Sequence, residues 1–413
     1  MKIGCSVFFG GLVILLAHGQ YAQTTNEKVE KMIQVIQKFS LNFLQKVILY
    51  REEKMQHVNE MISPFSVWTM LIMLYHGAKG KTLEQLRDVL GITVDDDELK
   101  EFYDDTREFR DADSSEMEIR SWQKLYHSKN YLIEYEYKNV TYYYDMGPER
   151  KDFEHQVGYI NDDIRAATND YIHATIQRNQ IAGAKILLLS AIYFMGKWKH
   201  PFNEKLTKVE PFYNETSPYK LIAKVPMMVQ IAKFAYVDEI KGLDARVLEL
   251  PYGTEDTLAM LVMLPNRGST VKDVVNNLKK LGLLPILDAL KNRTSAKDDV
   301  EVKIPKLNTY SAYILPKFLY QIGLKDVVNS DKANLKGMSV GPSSYRMSLS
   351  HSLHFSRIIM DEMGTPGATP KPERSNKTGV VEFHMNKPFV YLVVQKEMKL
   401  ILFAGAVRNK DKK

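Results

Sequence analysis

Apolar residues recur at three- and four-residue steps through Val29, Met32, Ile33, Ile36, Phe39, Phe43 and Leu44, the spacing of an amphipathic helix. A second helix is expected after Ser63-Pro64, where a serine cap and a first-turn proline precede Val67, Met70, Leu71 and Leu74. A third runs from Thr82 through Leu86 and Leu90 to Gly91, a C-terminal stop. Residues 92 to 121 are acidic, with Asp95-Asp96-Asp97-Glu98, and read as exposed helix and connection. Beyond them β patterns dominate. Ile186 to Phe194 is an apolar run of buried-strand length, and Val247 to Leu250 with Leu258 to Leu264 forms a hairpin across Gly253. Val300 to Leu307 and Met347 to Met360 alternate by twos, and Phe389 to Val394 pairs with Leu400 to Val407. Helices feeding strands predict an α+β fold with antiparallel or mixed sheets.

The first nineteen residues differ from the rest. Met1-Lys2, the apolar stretch from Val7 to Leu16, and Ala17-His18-Gly19 read as a signal peptide cut after Gly19, with residues 20–413 forming one domain. No linker or charge block divides that domain, and 45% hydrophobic residues are enough for a large core. The expectation is a secreted, extracellular protein with no membrane span. Asn-x-Thr sequons at Asn139, Asn214, Asn292 and Asn376 are glycosylation candidates that fit this route.

Composition narrows the chemistry. The one cysteine, Cys5, lies in the signal segment, so the mature chain has neither disulfides nor thiolate sites. Lys and Arg are interspersed with Asp and Glu and no basic stripe appears, which argues against nucleic-acid binding. Gly337-Met338-Ser339-Val340-Gly341 has the spacing of a hydrolase nucleophile elbow, but polar residues precede it and a strand-like pattern follows. Gly80-Lys81-Thr82 ends like a phosphate loop, yet Tyr75 stands where the leading glycine belongs. His351 and His354, three apart on a strand, point to opposite faces and do not make a metal site. No cofactor and no catalytic residue is expected.

Ordered motifs then carry a resemblance. Asn59 to Ser66, Gly77 to Thr82, Ile160-Asn161 with Thr168, and Gly196, Trp198 and Phe202 are similar to segments of serpins. Met227-Met228, Leu248 to Tyr252, Leu264-Pro265 and Ile304-Pro305-Lys306 follow in the same order. Ser350, His354 and Asp361 to Thr365 resemble the strand entering the reactive loop, and Asn386 to Phe389 with Phe403 to Val407 resemble its end. The match spans residues 26 to 409. It implies three β-sheets, eight or nine helices and an exposed loop from about Gly364 to Lys387. A secreted, trypsin-like serine protease is the implied partner, with a monomeric inhibitor that supplies strain rather than catalysis.

The resemblance also assigns site residues. The hinge would be Glu362, Gly364, Thr365, Pro366, Gly367 and Ala368, and the region where the sheet opens would include Ser63, Ser190, Trp198 and His354. The scissile bond falls at Lys377-Thr378, or within one residue of it, with Arg374-Ser375 as the second choice. Departures are specific. Pro366, Pro370 and Pro372 occupy a stretch where inhibitory members carry small residues, and each would forfeit a ladder hydrogen bond on insertion. Lys371 and Glu373 would share a face with Thr365, Gly367 and Thr369. Ser190 stands where the family has asparagine facing the histidine, Phe355 replaces a lysine and Asp163 a tryptophan. The alternative reading is a non-inhibitory binding, carrier or decoy scaffold.

Overall fold

Ser63 shows how the local pattern becomes structure. Its side chain accepts from the Ser66 amide at 3.1 Å and caps α2 (Pro64–Gly77), whose first residue is the proline that needs no N–H there. Nearly every residue of α2 is buried, so this helix runs through the core and carries no solvent face. It follows α1 (Phe8–Glu53), and α3 (Gly80–Leu90) comes next. Gly91 ends α3 at φ 68°, and a Cβ there would also sit 2.3 Å from the Val35 side chain of α1.

The computed structural model describes residues 8–292, 299–341, 347–363 and 380–410, with side chains described from Glu27 onward. The first sheet has the order β13 (Leu307–Ile314), β15 (His351–Met360), β6 (Ile186–Gly196), β3 (Met117–Ser128) and β2 (Asp111–Asp113), with β5 (Glu149–Lys151) alongside β3. The second runs β1 (Glu60–Ile62), β18 (Leu400–Val407), β17 (Phe389–Gln395), β11 (Leu258–Pro265), β10 (Ala245–Tyr252) and β9 (Tyr236–Val237). The third is β16 (Val381–His384), β12 (Val300–Pro305), β8 (Leu221–Ala232) and β7 (Lys208–Tyr213). A two-stranded pair, β4 (Leu132–Ile133) with β14 (Ser339–Val340), completes them.

Both faces of β6, in the middle of the first sheet, are covered. Even-numbered residues of β6 such as Ile186, Leu188 and Phe194 join the main core with α1, α2 and the second sheet. Odd-numbered ones, Leu187, Leu189, Ala191 and Tyr193, join a smaller cluster with Ile160 and Ile164 of α6 (Val157–Ala167). The period of two thus divides one apolar run between two cores, which is why it reads as unbroken hydrophobicity.

Several expectations change. Within the strand-rich second part run helices the local pattern did not single out: α8 (Val271–Leu281), α9 (Leu284–Lys291) and α10 (Pro316–Gln321), after α5 (Tyr135–Tyr143), α6 and the four-residue α7 (Arg178–Ile181). With α4 (Asp96–Asp105) this makes ten α-helices among the described residues. The acidic stretch contains α4 as expected, capped by Asp95 and Glu98, but its Leu99, Phe102 and Tyr103 are buried and strand β3 begins at Met117. The exposed loop ends sooner than Lys387, because β16 pairs in parallel with β12 from Val381 and buries Phe383.

Candidate functional site

The site forms where β6 and β15 run side by side. They pair in parallel from Leu187 with His351 to Met195 with Ile359, and β15 then leads through Met360 toward the hinge. Across the sheet, Gln123, Ser190, His354 and Tyr313 form one lateral row, one from each of β3, β6, β15 and β13. Paired residues project to the same face, so a single shift of register would dissolve the row.

The row is hydrogen-bonded to α2. The Ser63 amide donates to His354 Nε2 at 3.1 Å, which leaves Nδ1 as the protonated nitrogen, and Nδ1 lies 3.1 Å from Ser190 Oγ. Ser190 Oγ is 2.8 Å from Ser66 Oγ, to which Gln123 Nε2 donates at 2.8 Å. Ser63 Oγ donates to the Leu402 carbonyl of β18 at 2.7 Å. Burial pushes the His354 imidazole down from 6.5 to about 3, so it is neutral in this network. Ser190 thus gives the neutral His354 a buried hydrogen-bond partner.

The segment Asp361 to Met363 that follows β15, where the resemblance places the start of the hinge, is held by several contacts. The Trp198 amide donates to the Met363 carbonyl at 3.0 Å, Trp198 Nε1 to Asp361 O at 2.8 Å, and the Phe202 amide to Glu362 O at 3.2 Å. Glu362, buried, accepts from Thr207 Oγ1 at 2.7 Å and from Lys306 Nζ at 2.5 Å. Burial raises the Glu362 carboxyl, but the bonds from Lys306 and Thr207 outweigh it and hold the group below its usual value. Trp198 itself stacks on Tyr252 at 4.4 Å and meets Phe202 edge-on at 5.9 Å.

The other departures have partners of their own. Asp163 of α6 accepts from Tyr126 Oη at 2.6 Å, and Phe355 is buried in the cluster beneath α6. Ser339 lies in strand β14 with a buried Oγ that has no hydrogen-bond partner among the described residues, so no nucleophile elbow forms. Gly80 begins α3, and Thr82 Oγ1 accepts from the Asn334 amide, so that segment is a helix junction. Among the described residues no group of three metal-ligating side chains occurs, and no helix is long and apolar enough to cross a membrane.

Of the assigned residues, Ser63, Ser190 and His354 meet in one network, while Trp198 and Glu362 meet in the other. Gly364 to Ala368, Arg374, Ser375, Asn376, Lys377 and Thr378 lie outside the described residues. Asn139 and Asn292 are exposed at α5 and the end of α9, and the half-buried Asn214 accepts from the Lys220 amide in the β7–β8 turn. Sequence reading missed Ser66, Gln123 and Thr207. Ser66 stands three residues after a recognised cap, but Gln123 depends on pairing across the sheet and Thr207 on a contact with Glu362 155 residues away, and neither carries a local signal.

Residues 34–410 match the family model for Serpin (serine protease inhibitor). The chain is 29% identical over 387 residues to Serpin B3 of Homo sapiens, covering 85% of this chain and 94% of that one. It is 29% identical over 368 residues to leukocyte elastase inhibitor A of Rattus norvegicus, covering 84% and 92%. The crystal structure of native protease nexin-1 with heparin superposes with a TM-score of 0.77 at 22% identity, over 92% of this chain and 100% of that one. The chain belongs to the serpin family. It is accordingly not an enzyme: serpins act on target proteases, which supply the nucleophile.

Proposed function

We propose that this protein is a secreted serine-protease inhibitor of the serpin class that offers Lys377, or Arg374, to a trypsin-like enzyme and traps it weakly. It acts as a monomer in the extracellular space, reached by removal of residues 1–19, and carries glycans at sequons among Asn139, Asn214, Asn292 and Asn376. Trapping in this family requires residues after Gly364 to enter between β6 and β15 as a new strand, antiparallel to both. One observation carries the weakness: both faces of that seam are covered, one by the main core and one by the α6 cluster. Over residues 187–194 and 352–356 the flanking strands are buried throughout, so an entering strand has no solvent face there for Lys371 or Glu373, and burying either without a partner is unfavourable.

The prolines act on the other axis. Pro366, Pro370 and Pro372 are all even-numbered, and residues two apart in a strand direct their N–H groups to the same neighbour. All three missing donors therefore fall against one flanking strand, leaving three acceptors unpaired at about 1–3 kcal/mol each. The same observation supports the second reading, a binding, carrier or decoy scaffold that never inserts its loop. Incubation with a panel of trypsin-like proteases separates the two. Trapping gives a complex that survives detergent, partitioned with cleaved protein, whereas a scaffold gives cleaved protein alone or none.

A further inference from the structure

Lys199 and His200, which follow Trp198 in the segment that holds Met363 and Glu362, line a cavity of about 290 Å³. It is also lined by Phe234, Ala235 and Pro251, and by the charged side chains of Lys233, Glu249, Asp256 and Lys396. Its charges are unequal. Lys396 Nζ is shared between Glu249 Oε1 at 2.7 Å and Asp256 Oδ1 at 3.0 Å, and Lys199 Nζ stands 3.6 Å from Asp256 Oδ2. Lys233 is exposed and has no ion pair among the described residues. Three ammonium groups thus face two carboxylates, an excess of one positive charge.

The apolar part is equally defined. His200 meets Phe234 edge-on at 5.3 Å, and burial, followed by the neighbouring Lys199, pushes its imidazole below the usual value. A neutral ring on Phe234, together with Pro251 and Ala235, supplies the apolar lining. We propose that this cavity binds a small organic anion, a single carboxylate or phosphate carried on a ring or short apolar body. The anionic group pairs with Lys233 and Lys199, and the apolar body lies against His200, Phe234 and Pro251.

The position gives such a ligand a consequence. The Lys199 amide donates to Pro251 O at 3.0 Å, and its chain neighbour Trp198 and nearby Phe202 hold Met363 and Glu362. An occupant bridging Lys199 and Lys233 braces the 197–202 segment and slows release of the hinge. That consequence rests on the hinge reading above, whereas the site does not.

The test uses the full mature chain with benzoate and phenyl phosphate as probes, and benzyl alcohol and added NaCl as controls. Saturable binding of either anion with a Kd of about 1 mM or tighter is expected, together with slower hydrogen exchange at the Trp198 and Phe202 amides. Lys233→Gln, on an exposed side chain, should weaken binding about fivefold to tenfold at an unchanged melting temperature. No saturation by either anion, or equal binding by Lys233→Gln, overturns the site. Saturation without slower exchange overturns the bracing. Neither result depends on a protease, so both remain separate from any failure of the inhibitor reading.

Discussion

His354 Nδ1 lies 3.1 Å from Ser190 Oγ across the parallel junction of β15 and β6, so one side-chain contact spans the line along which the first sheet would open. Both residues are fully buried. Ser190→Ala leaves the imidazole N–H without an acceptor and removes the link to Ser66. It should lower the unfolding free energy by about 1–3 kcal/mol in urea titrations. Ser330→Ala, on an exposed side chain, should change it by less than about 0.5 kcal/mol. Equal effects of the two substitutions would remove the network from any special role.

The same histidine gives a pH dependence with a defined sign. Its folded value of about 3 lies below the unfolded 6.5, so between these limits the unfolded chain binds the extra proton and stability falls as pH falls. The slope from this one group is about 1.4 kcal/mol per pH unit well inside that window. Glu60 works in the opposite direction: burial raises it from 4.5 to about 7, so its contribution weakens as pH rises through that range. The difference in stability between parent and His354→Gln, followed from pH 7.5 to 5, isolates the histidine. The parent should lose its relative advantage as pH drops below about 6.5.

Glu362 ties the segment after β15 to Thr207 and Lys306. Because Lys306 is 40% exposed, Lys306→Ala should cost no more than about 1 kcal/mol. Glu362→Ala removes both contacts at a buried site and should cost about 1–3 kcal/mol. It should also speed hydrogen exchange at the Trp198 and Phe202 amides, which donate to Met363 and Glu362. Mass spectrometry of the peptides spanning residues 197–202 reads this directly, and unchanged exchange would show that the backbone bonds suffice alone.

Much of this was readable in the sequence. The Ser63 cap, the β10–β11 hairpin and the strand containing His354 follow from local pattern, because capping and period-two burial act over a few residues. The row of Gln123, Ser190, His354 and Tyr313 does not, since its members come from four separated strands and only sheet register aligns them. Phe383 illustrates the same limit: it falls within the stretch expected to be loop, and its burial depends on parallel pairing with β12, which no local signal encodes. The second cluster under α6 was hidden because residues alternating between two apolar cores look like one continuous core.

The prolines set the remaining expectation. Replacing Pro366, Pro370 and Pro372 together by alanine restores three strand donors and should raise the fraction of trypsin-like protease held in detergent-resistant complex. Relief of about 3–9 kcal/mol in the inserted state is ample for that change. If partition between complex and cleaved product stays the same, Lys371 and Glu373 or the covered seam are responsible instead.

The most direct measurement is thermal melting of the purified protein before and after a limited nick at Arg374 or Lys377. Weak trapping predicts that the nicked protein melts close to the intact one, because its loop gains little by entering between β6 and β15. A large rise in melting temperature after the nick would mean that the loop inserts fully despite its prolines and charges, and would contradict the account.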